Sequence, residues 1–134
     1  MEAVMALNIL VADDSKVARA MIVRTLRMAG LPIGEVYEAS DGQEGLELLG
    51  QKWVDVVFVD INMPVMNGEE MIQKMRENPI WADLPLVVVS TEGSQTRIDR
   101  LQQKGAKFIH KPFTPEIVRG LVAEMTGVNH ESSV

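Results

Sequence analysis

Five residues of this chain could do chemistry as a group: Asp13, Asp14, Asp60, Ser90 and Lys111. Carboxylates gathered in one pocket repel one another and call for a cation. An all-oxygen donor set without histidine or cysteine suits a hard ion such as Mg2+. A carboxylate beside a hydroxyl and an ammonium can accept a phosphoryl group: the carboxylate attacks, and the lysine and metal neutralise the transferred oxygens. Each residue alone has an ordinary reading. Asp13-Asp14-Ser15 reads as a helix N-terminus, Asp60 as a loop cap, Ser90 as a turn hydroxyl and Lys111 as a solvated charge. What joins them is position, because each stands where an apolar run stops.

The runs are the elements that must bring these residues together. Val56 to Val59, with Val54 before Asp55, ends in Asp60 and a loop holding Asn62, Pro64, Asn67 and Gly68, which is how a fully buried strand and its exit turn look. Asn8 to Ala12 ends at Asp13-Asp14, Leu86 to Val89 at Ser90-Thr91, and Phe108 to His110 at Lys111-Pro112. A more polar run around Val36 and Tyr37 reads as an edge strand. Helical patterns separate the runs. Ser15 caps the first, with Val17, Ala18, Met21, Ile22 and Leu26 as its apolar face, Gly30 as its stop and Pro32 barring its resumption. Asp41 and Glu44 have capping-box spacing before Leu46, Leu48 and Leu49, with Gly50 as the stop. Glu69 and Glu70 precede Met71, Ile72 and Met75 in a helix that stops before Asn78-Pro79. The segment from Ser94 to Lys104, ended by Gly105, offers only Ile98 and Leu101 as large apolar residues and predicts a weakly docked, mostly solvent-facing helix. Thr114 and Pro115 open the last helix, whose buried face is Ile117, Val118, Leu121, Val122 and Met125. Five strands alternating with five helices predict a doubly wound, three-layer α/β domain with a mostly parallel sheet. In such a sheet, ligands gather beyond the carboxyl ends of the strands, the edge that carries the five residues.

Composition narrows the function. The chain has 134 residues, a 46% hydrophobic fraction and a formal net charge of −6. This is the size of one domain, read as residues 1–134 with a core of about 8–126 and a polar, frayed tail over 127–134. With dispersed Lys and Arg and an acidic balance, no basic face for nucleic acid is expected. Absent cysteines exclude disulfides and thiolate chemistry. No secretory signal or bilayer-length apolar run is evident, which predicts a soluble, cytoplasmic protein with no membrane partner.

Asp13-Asp14, Asp60 within D-I-N-M-P, Ser90 and Lys111-Pro112-Phe113, each at a strand end, resemble the receiver domain of bacterial two-component response regulators, in its single-domain, CheY-like form. The resemblance covers about Asn8 to Met125. It implies a flavodoxin-like (βα)5 sandwich with a five-stranded parallel sheet of order 2-1-3-4-5, and a switch that accepts a phosphoryl group onto Asp60 from a sensor histidine kinase. It further implies Mg2+ held by Asp13, Asp14, Asp60 and the backbone carbonyl of Asn62. Ser90 and Lys111 would meet the phosphoryl group, and the Lys111-Pro112 bond would be cis. Asn62 and Glu92, two residues past Asp60 and Ser90, occupy the positions that tune phosphoryl lifetime. Thr91, larger than the usual Ala or Gly, bears on entry of the phosphodonor. Phe108, where Tyr is frequent, is the aromatic partner of Ser90 in switching. The signal would pass through helix four, strand five and helix five to a target protein, chemotaxis-type, or onward to a histidine phosphotransfer protein in a phosphorelay.

A phosphoacceptor of this kind turns over no external substrate and is not an enzyme in the usual sense. The competing enzyme reading is a Mg2+-dependent phosphohydrolase with Asp60 as nucleophile. Such an enzyme needs a general acid two residues past the nucleophile, where this chain has Asn62, and a substrate cap for which the chain has little room. A phosphorylation-independent interaction module is the remaining class. Other features read plainly: His110 as structural or surface, His130 as part of the tail, the nine methionines as core filler, and Trp53 and Trp81 as packing at loop edges.

Overall fold

The computed structural model of the protein describes residues 6–127. Its strands are β1 (Leu7–Ala12), β2 (Ile33–Ala39), β3 (Val56–Val59), β4 (Leu86–Ser90) and β5 (Lys107–His110). They alternate with helices α1 (Lys16–Met28), α2 (Gly42–Gln51), α3 (Gly68–Glu77), α4 (Gln95–Gln103) and α5 (Pro115–Thr126). All pairs are parallel and the order is β2-β1-β3-β4-β5, so the doubly wound architecture expected from the sequence is the observed one. His130 and the rest of the tail beyond Gly127 lie outside the described residues.

Side-chain alternation along buried strands divides the core in two. Leu10, Ala12, Val57, Val59, Leu86 and Val88 face one side, where α2, α3 and α4 supply Leu49, Met71, Ile72, Met75 and Leu101. Ile9, Val11, Val56, Phe58, Val87 and Val89 face the other, against Ile22 and Leu26 of α1 and Val118 and Val122 of α5. Strands covered on both faces are apolar at every position, which explains the uninterrupted runs of β3 and β4. The polar β2 is an edge, as its composition suggested.

Helix ends follow their capping residues. The side chains of Ser15, Asp41, Asn67, Ser94 and Thr114 each accept the backbone N–H three residues on. Glu44 completes the α2 cap by accepting from the N–H of Ser40 rather than that of Asp41. Gly30, with φ 76°, makes the left-handed turn after α1.

Three expectations need correction. In α1 the rows 17-21 and 18-22-26 are neighbours at helical spacing, and the sheet takes the second. Val17 and Met21 stay 72% and 60% exposed. By the same geometry Ile117 of α5 is exposed, one row off Val118 and Val122. Trp53 does not pack, standing 77% exposed with its Nε1–H donated to Asp55 Oδ1 at 3.0 Å, whereas Trp81 does rest on the core. Among the methionines, Met63, Met66, Met71 and Met75 are buried, but Met21 and Met28 are not. The α4 stripe is as thin as expected, with only Ile98 and Leu101 buried, but it does not act alone. The helix is tied to α3 by Arg97–Glu69 and Arg100–Glu69 ion pairs. Beyond its C-terminus the Lys104 carbonyl accepts Arg76 Nε at 2.7 Å. A thin apolar stripe is supplemented here by arginines acting across the α3–α4 seam.

Candidate functional site

Register sets the site. Ala12 pairs with Val59, so the next residues, Asp13 and Asp60, leave adjacent strands side by side, and the Asp60 N–H reaches the Ala12 carbonyl at 2.9 Å. Ser90 ends β4 on the other flank of β3, and the Lys111 N–H, just past β5, binds the Ser90 carbonyl at 3.0 Å. One carboxylate oxygen each from Asp13, Asp14 and Asp60 lies within 4.8 Å of the others. The five residues singled out by strand position therefore do meet at one edge of the sheet.

The electrostatics are unbalanced. Asp13 is buried, at 1% exposure. Its Oδ1 accepts the Ser15 N–H at 2.9 Å, but its Oδ2 has no hydrogen-bond partner. Lys111 Nζ stands off that oxygen at 3.5 Å, an ion pair too long to satisfy it. Burial raises the Asp60 carboxyl above its ordinary 3.8, and the Asp13 charge raises it further. Lys111 and the Ile61 N–H, 2.8 Å from Oδ1, offset part of this, while Asp14 adds to it. A buried oxygen without a partner and a carboxylate pushed towards its neutral form are both answered by a divalent cation among the three acids. The donor set, oxygen throughout, fits Mg2+.

Around this centre, Arg19 reaches back from α1 to donate Nη1 to the Asp13 carbonyl at 2.6 Å and Nε to Glu38 at 2.9 Å. The loop after β3 folds tightly on itself. Gly68 opens α3 where a Cβ would fall 2.2 Å from the Asp60 carbonyl oxygen, and its N–H closes on Ile61 O at 2.8 Å, so only glycine allows this approach. Val65 in the same loop holds φ 65°, a left-handed conformation that costs a β-branched residue. Asn62 is exposed at the start of that loop. Ser90 is buried and its Oγ accepts the Glu92 N–H at 3.1 Å. Glu92 turns its carboxylate to Arg97 Nη1 and the Ser94 N–H, both at 3.0 Å. Thr91 lies exposed at a mainly apolar cavity of about 360 Å3, which it lines with Met21, Lys111 and Phe113. Phe108 is half-buried, edge-on to His110 with ring centres 4.7 Å apart. The Lys111–Pro112 bond is cis.

Sequence reasoning missed Arg19, Glu69, Arg76, Arg97 and Arg100. Each is a charged residue on a helix or at its end and reads locally as a solvated side chain. Only the third dimension brings it to a partner 5 to 31 positions away.

An open parallel sheet with acids at its strand ends, an ammonium opposite and a hydroxyl beside them defines a phosphoacceptor class of α/β protein, for which the chemotaxis receiver CheY is itself a standing illustration of the strand-end rule. Residues 9–123 match the family described as response regulator receiver domain, and the chain belongs to that family. It is 35% identical to a chemotaxis protein CheY homolog of Campylobacter jejuni, over 90% of this chain and 93% of that protein. It is 32% identical to chemotaxis protein CheY1 of Helicobacter pylori, over 92% and 99%. Against the solved structure of chemotaxis response regulator CheY4 of Vibrio cholerae it has a TM-score of 0.78 at 31% identity, covering 90% and 99%. The protein is thus a receiver domain of two-component signalling. Such domains act as phosphoacceptor switches, bind Mg2+ at an acidic pocket and work between histidine kinases and downstream targets. No helix among the described residues is long and apolar enough to cross a membrane.

Proposed function

We propose that this chain is one receiver domain, acting in the cytoplasm as a chemotaxis-type switch with Asp60 as its phosphoacceptor. The observation that carries the reading is the buried, unpartnered Asp13 Oδ2 beside an Asp60 carboxyl raised by its surroundings, with Lys111 opposite. Asp13, Asp14, Asp60 and the Asn62 carbonyl would hold Mg2+, which supplies neutralising charge for phosphoryl oxygens.

In the proposed transfer, an Asp60 carboxylate oxygen attacks the phosphorus of a phosphohistidine on the kinase. The new O–P bond forms as the P–N bond breaks, and the imidazole nitrogen keeps the electron pair. Lys111 pairs with a phosphoryl oxygen and the Ser90 hydroxyl donates to another. Phe108 follows Ser90 inward, and the surface of α4, β5 and α5 takes the form that binds the target. Hydrolysis adds water at phosphorus and returns the Asp60 carboxylate and inorganic phosphate. Asn62, Thr91 and Glu92, which border the site, set how fast water and donors arrive.

The test is intact-mass measurement after incubation with acetyl phosphate and Mg2+. Wild type is expected to gain one phosphate that Asp60→Asn does not, and no gain in wild type would sink the reading. A second reading, an intermediate that passes the group to a histidine phosphotransfer protein, is kept because the relatives are not all chemotaxis proteins by name: a rice two-component response regulator, ORR5, is also 35% identical, over 88% of this chain and 87% of that protein. Rapid, complete transfer from Asp60 to such a protein would favour it. Multiple turnover of small phosphomonoesters would instead revive the phosphohydrolase, against which the amide at Asn62 argues.

A further inference from the structure

Two acidic side chains stand just beyond the site, one in the first turn of α3 and one on the loop after Ser90, and one arginine reaches both. Glu69 follows Gly68, the residue packed against the Asp60 carbonyl. Glu92 lies two residues past Ser90. From the first turn of α4, Arg97 donates Nε to Glu69 Oε1 and Nη1 to Glu92 Oε1 at 3.0 Å. Arg100 Nη2 supports Glu69 at 3.2 Å, and the Ser94 N–H holds the second Glu92 oxygen at 3.0 Å. The planar fork of a guanidinium can serve two carboxylates at once, which an ammonium's point charge does poorly. The side chains of Arg97, Glu69 and Glu92 are only 28%, 22% and 17% exposed, so water screens the cluster less than an ordinary surface pair.

The same Glu92 that Arg97 holds by its side chain holds Ser90 by its main chain, through the 3.1 Å bond from its N–H to Ser90 Oγ. A chain of contacts results, from Asp60 through Gly68 and Glu69 to Arg97, and from Arg97 through Glu92 to Ser90. We propose that Arg97 is a positioning residue for the switch: by fastening Glu92 to Glu69 it keeps the Ser90 hydroxyl on the Glu92 N–H, the place it must leave to meet a phosphoryl group on Asp60. This rests on the phosphoacceptor reading above. Whatever stabilises the resting arrangement weakens, by linkage, the affinity for a phosphoryl group that favours the other one. Arg97 thereby sets the resting bias without touching the reacting atoms.

The experiment measures binding of beryllium fluoride, a phosphoryl mimic, in the presence of Mg2+, followed by amide NMR shifts of Ser90, Thr91 and Glu92. Arg97→Gln is expected to bind the mimic about fivefold tighter than wild type, at the low end of common coupling strengths. Its affinity for Mg2+ alone should be unchanged, a split that a general loss of stability would not produce. Arg97→Lys should fall between the two. Glu69→Gln should shift binding in the same direction, and the double variant should bind no tighter than Arg97→Gln, because Glu69 acts through Arg97. Unchanged or weaker binding by Arg97→Gln, with wild type binding normally, overturns the inference alone. A wild type that binds no mimic overturns the phosphoacceptor reading and this inference with it. Should Arg97→Gln fail to fold, Arg97→Lys and Glu69→Gln carry the same test.

Discussion

Strand β3 has an aspartate at each end, and the two are treated oppositely. Asp55, just before the strand, has both oxygens engaged: Oδ2 accepts the Asn8 N–H at 2.8 Å and Oδ1 the Trp53 indole N–H at 3.0 Å. Asp60, just after it, accepts one backbone N–H, faces Asp13 and Asp14, and has its carboxyl raised above the ordinary range. Similar side chains one strand length apart thus serve as a structural tie and as a held-open reactive group. The difference lies in what the neighbouring strand contributes. β1 begins beside Asp55 with a donor, the Asn8 N–H, and ends beside Asp60 with two more acids. A carboxylate that lacks donors and sits among like charges is stability forgone, which a structural residue has no reason to forgo.

The comparison breaks most visibly by exchange of each aspartate. Asp60→Asn should abolish phosphate uptake yet stabilise the domain by about 1 kcal/mol at neutral pH, since it removes one of three repelling charges. The sign follows from linkage. The folded-state pKa of Asp60 is raised above 3.8, so its penalty is full above that raised value and is relieved as pH falls through it. The advantage of the variant in urea melts should therefore shrink with acidification. Asp55→Ala should do the reverse: it should take up phosphate normally and lose about 1–2 kcal/mol, because the Asn8 N–H is left without its acceptor. A destabilised Asp60→Asn would contradict the idea that this end of the strand is held under electrostatic tension.

How much of this was legible in sequence depends on whether the signal was local. The strand runs, the caps Ser15, Asp41 and Thr114 and the order of acids at strand ends are local, because burial on two faces writes continuous apolar stretches and caps sit next to what they cap. The same locality failed where two helical rows compete. Val17 and Met21 fit an amphipathic pattern as well as Ala18, Ile22 and Leu26 do, and only the position of the sheet chooses between them. At α4 composition showed the thin apolar stripe but not the charged contacts that supplement it. Arg97 and Arg76 are indistinguishable from solvated residues until Glu69 and the Lys104 carbonyl, each 28 positions away, come into reach. Asp55 and Asp60 each border the same apolar run, and it was position at its carboxyl end that singled out Asp60, not its charge.

Backbone strain offers a finer test of the same contrast. Val65, in the loop beyond Asp60, is 82% exposed and held at φ 65° with no burial to compensate. Left-handed geometry costs a β-branched residue about 1–2 kcal/mol, and glycine returns part of that gain as unfolded-state entropy. Val65→Gly should therefore stabilise the domain by about 0.5–1 kcal/mol in denaturant melts. No gain would mean that this pole carries its cost in charge alone.

The smallest expected effect separates the acids within the reactive pole itself. Burial works to raise the Glu69 carboxyl, but the hydrogen bonds and charges of Arg97 and Arg100 outweigh it and hold the group below its ordinary 4.5. Its sign is thus opposite to that of Asp60. A depressed folded-state pKa contributes stability that is full above 4.5 and lost as pH falls through the lower folded value. Glu69→Gln should cost about 0.5–1 kcal/mol at neutral pH, as a partly exposed ion-pair network does, and the cost should fade as the pH falls below 4.5. Asp60→Asn and Glu69→Gln melts across the same acid range should therefore converge on wild type from opposite sides. Convergence from one side only would mean that proximity to the site, and not the donors each acid finds, fixes its ionisation.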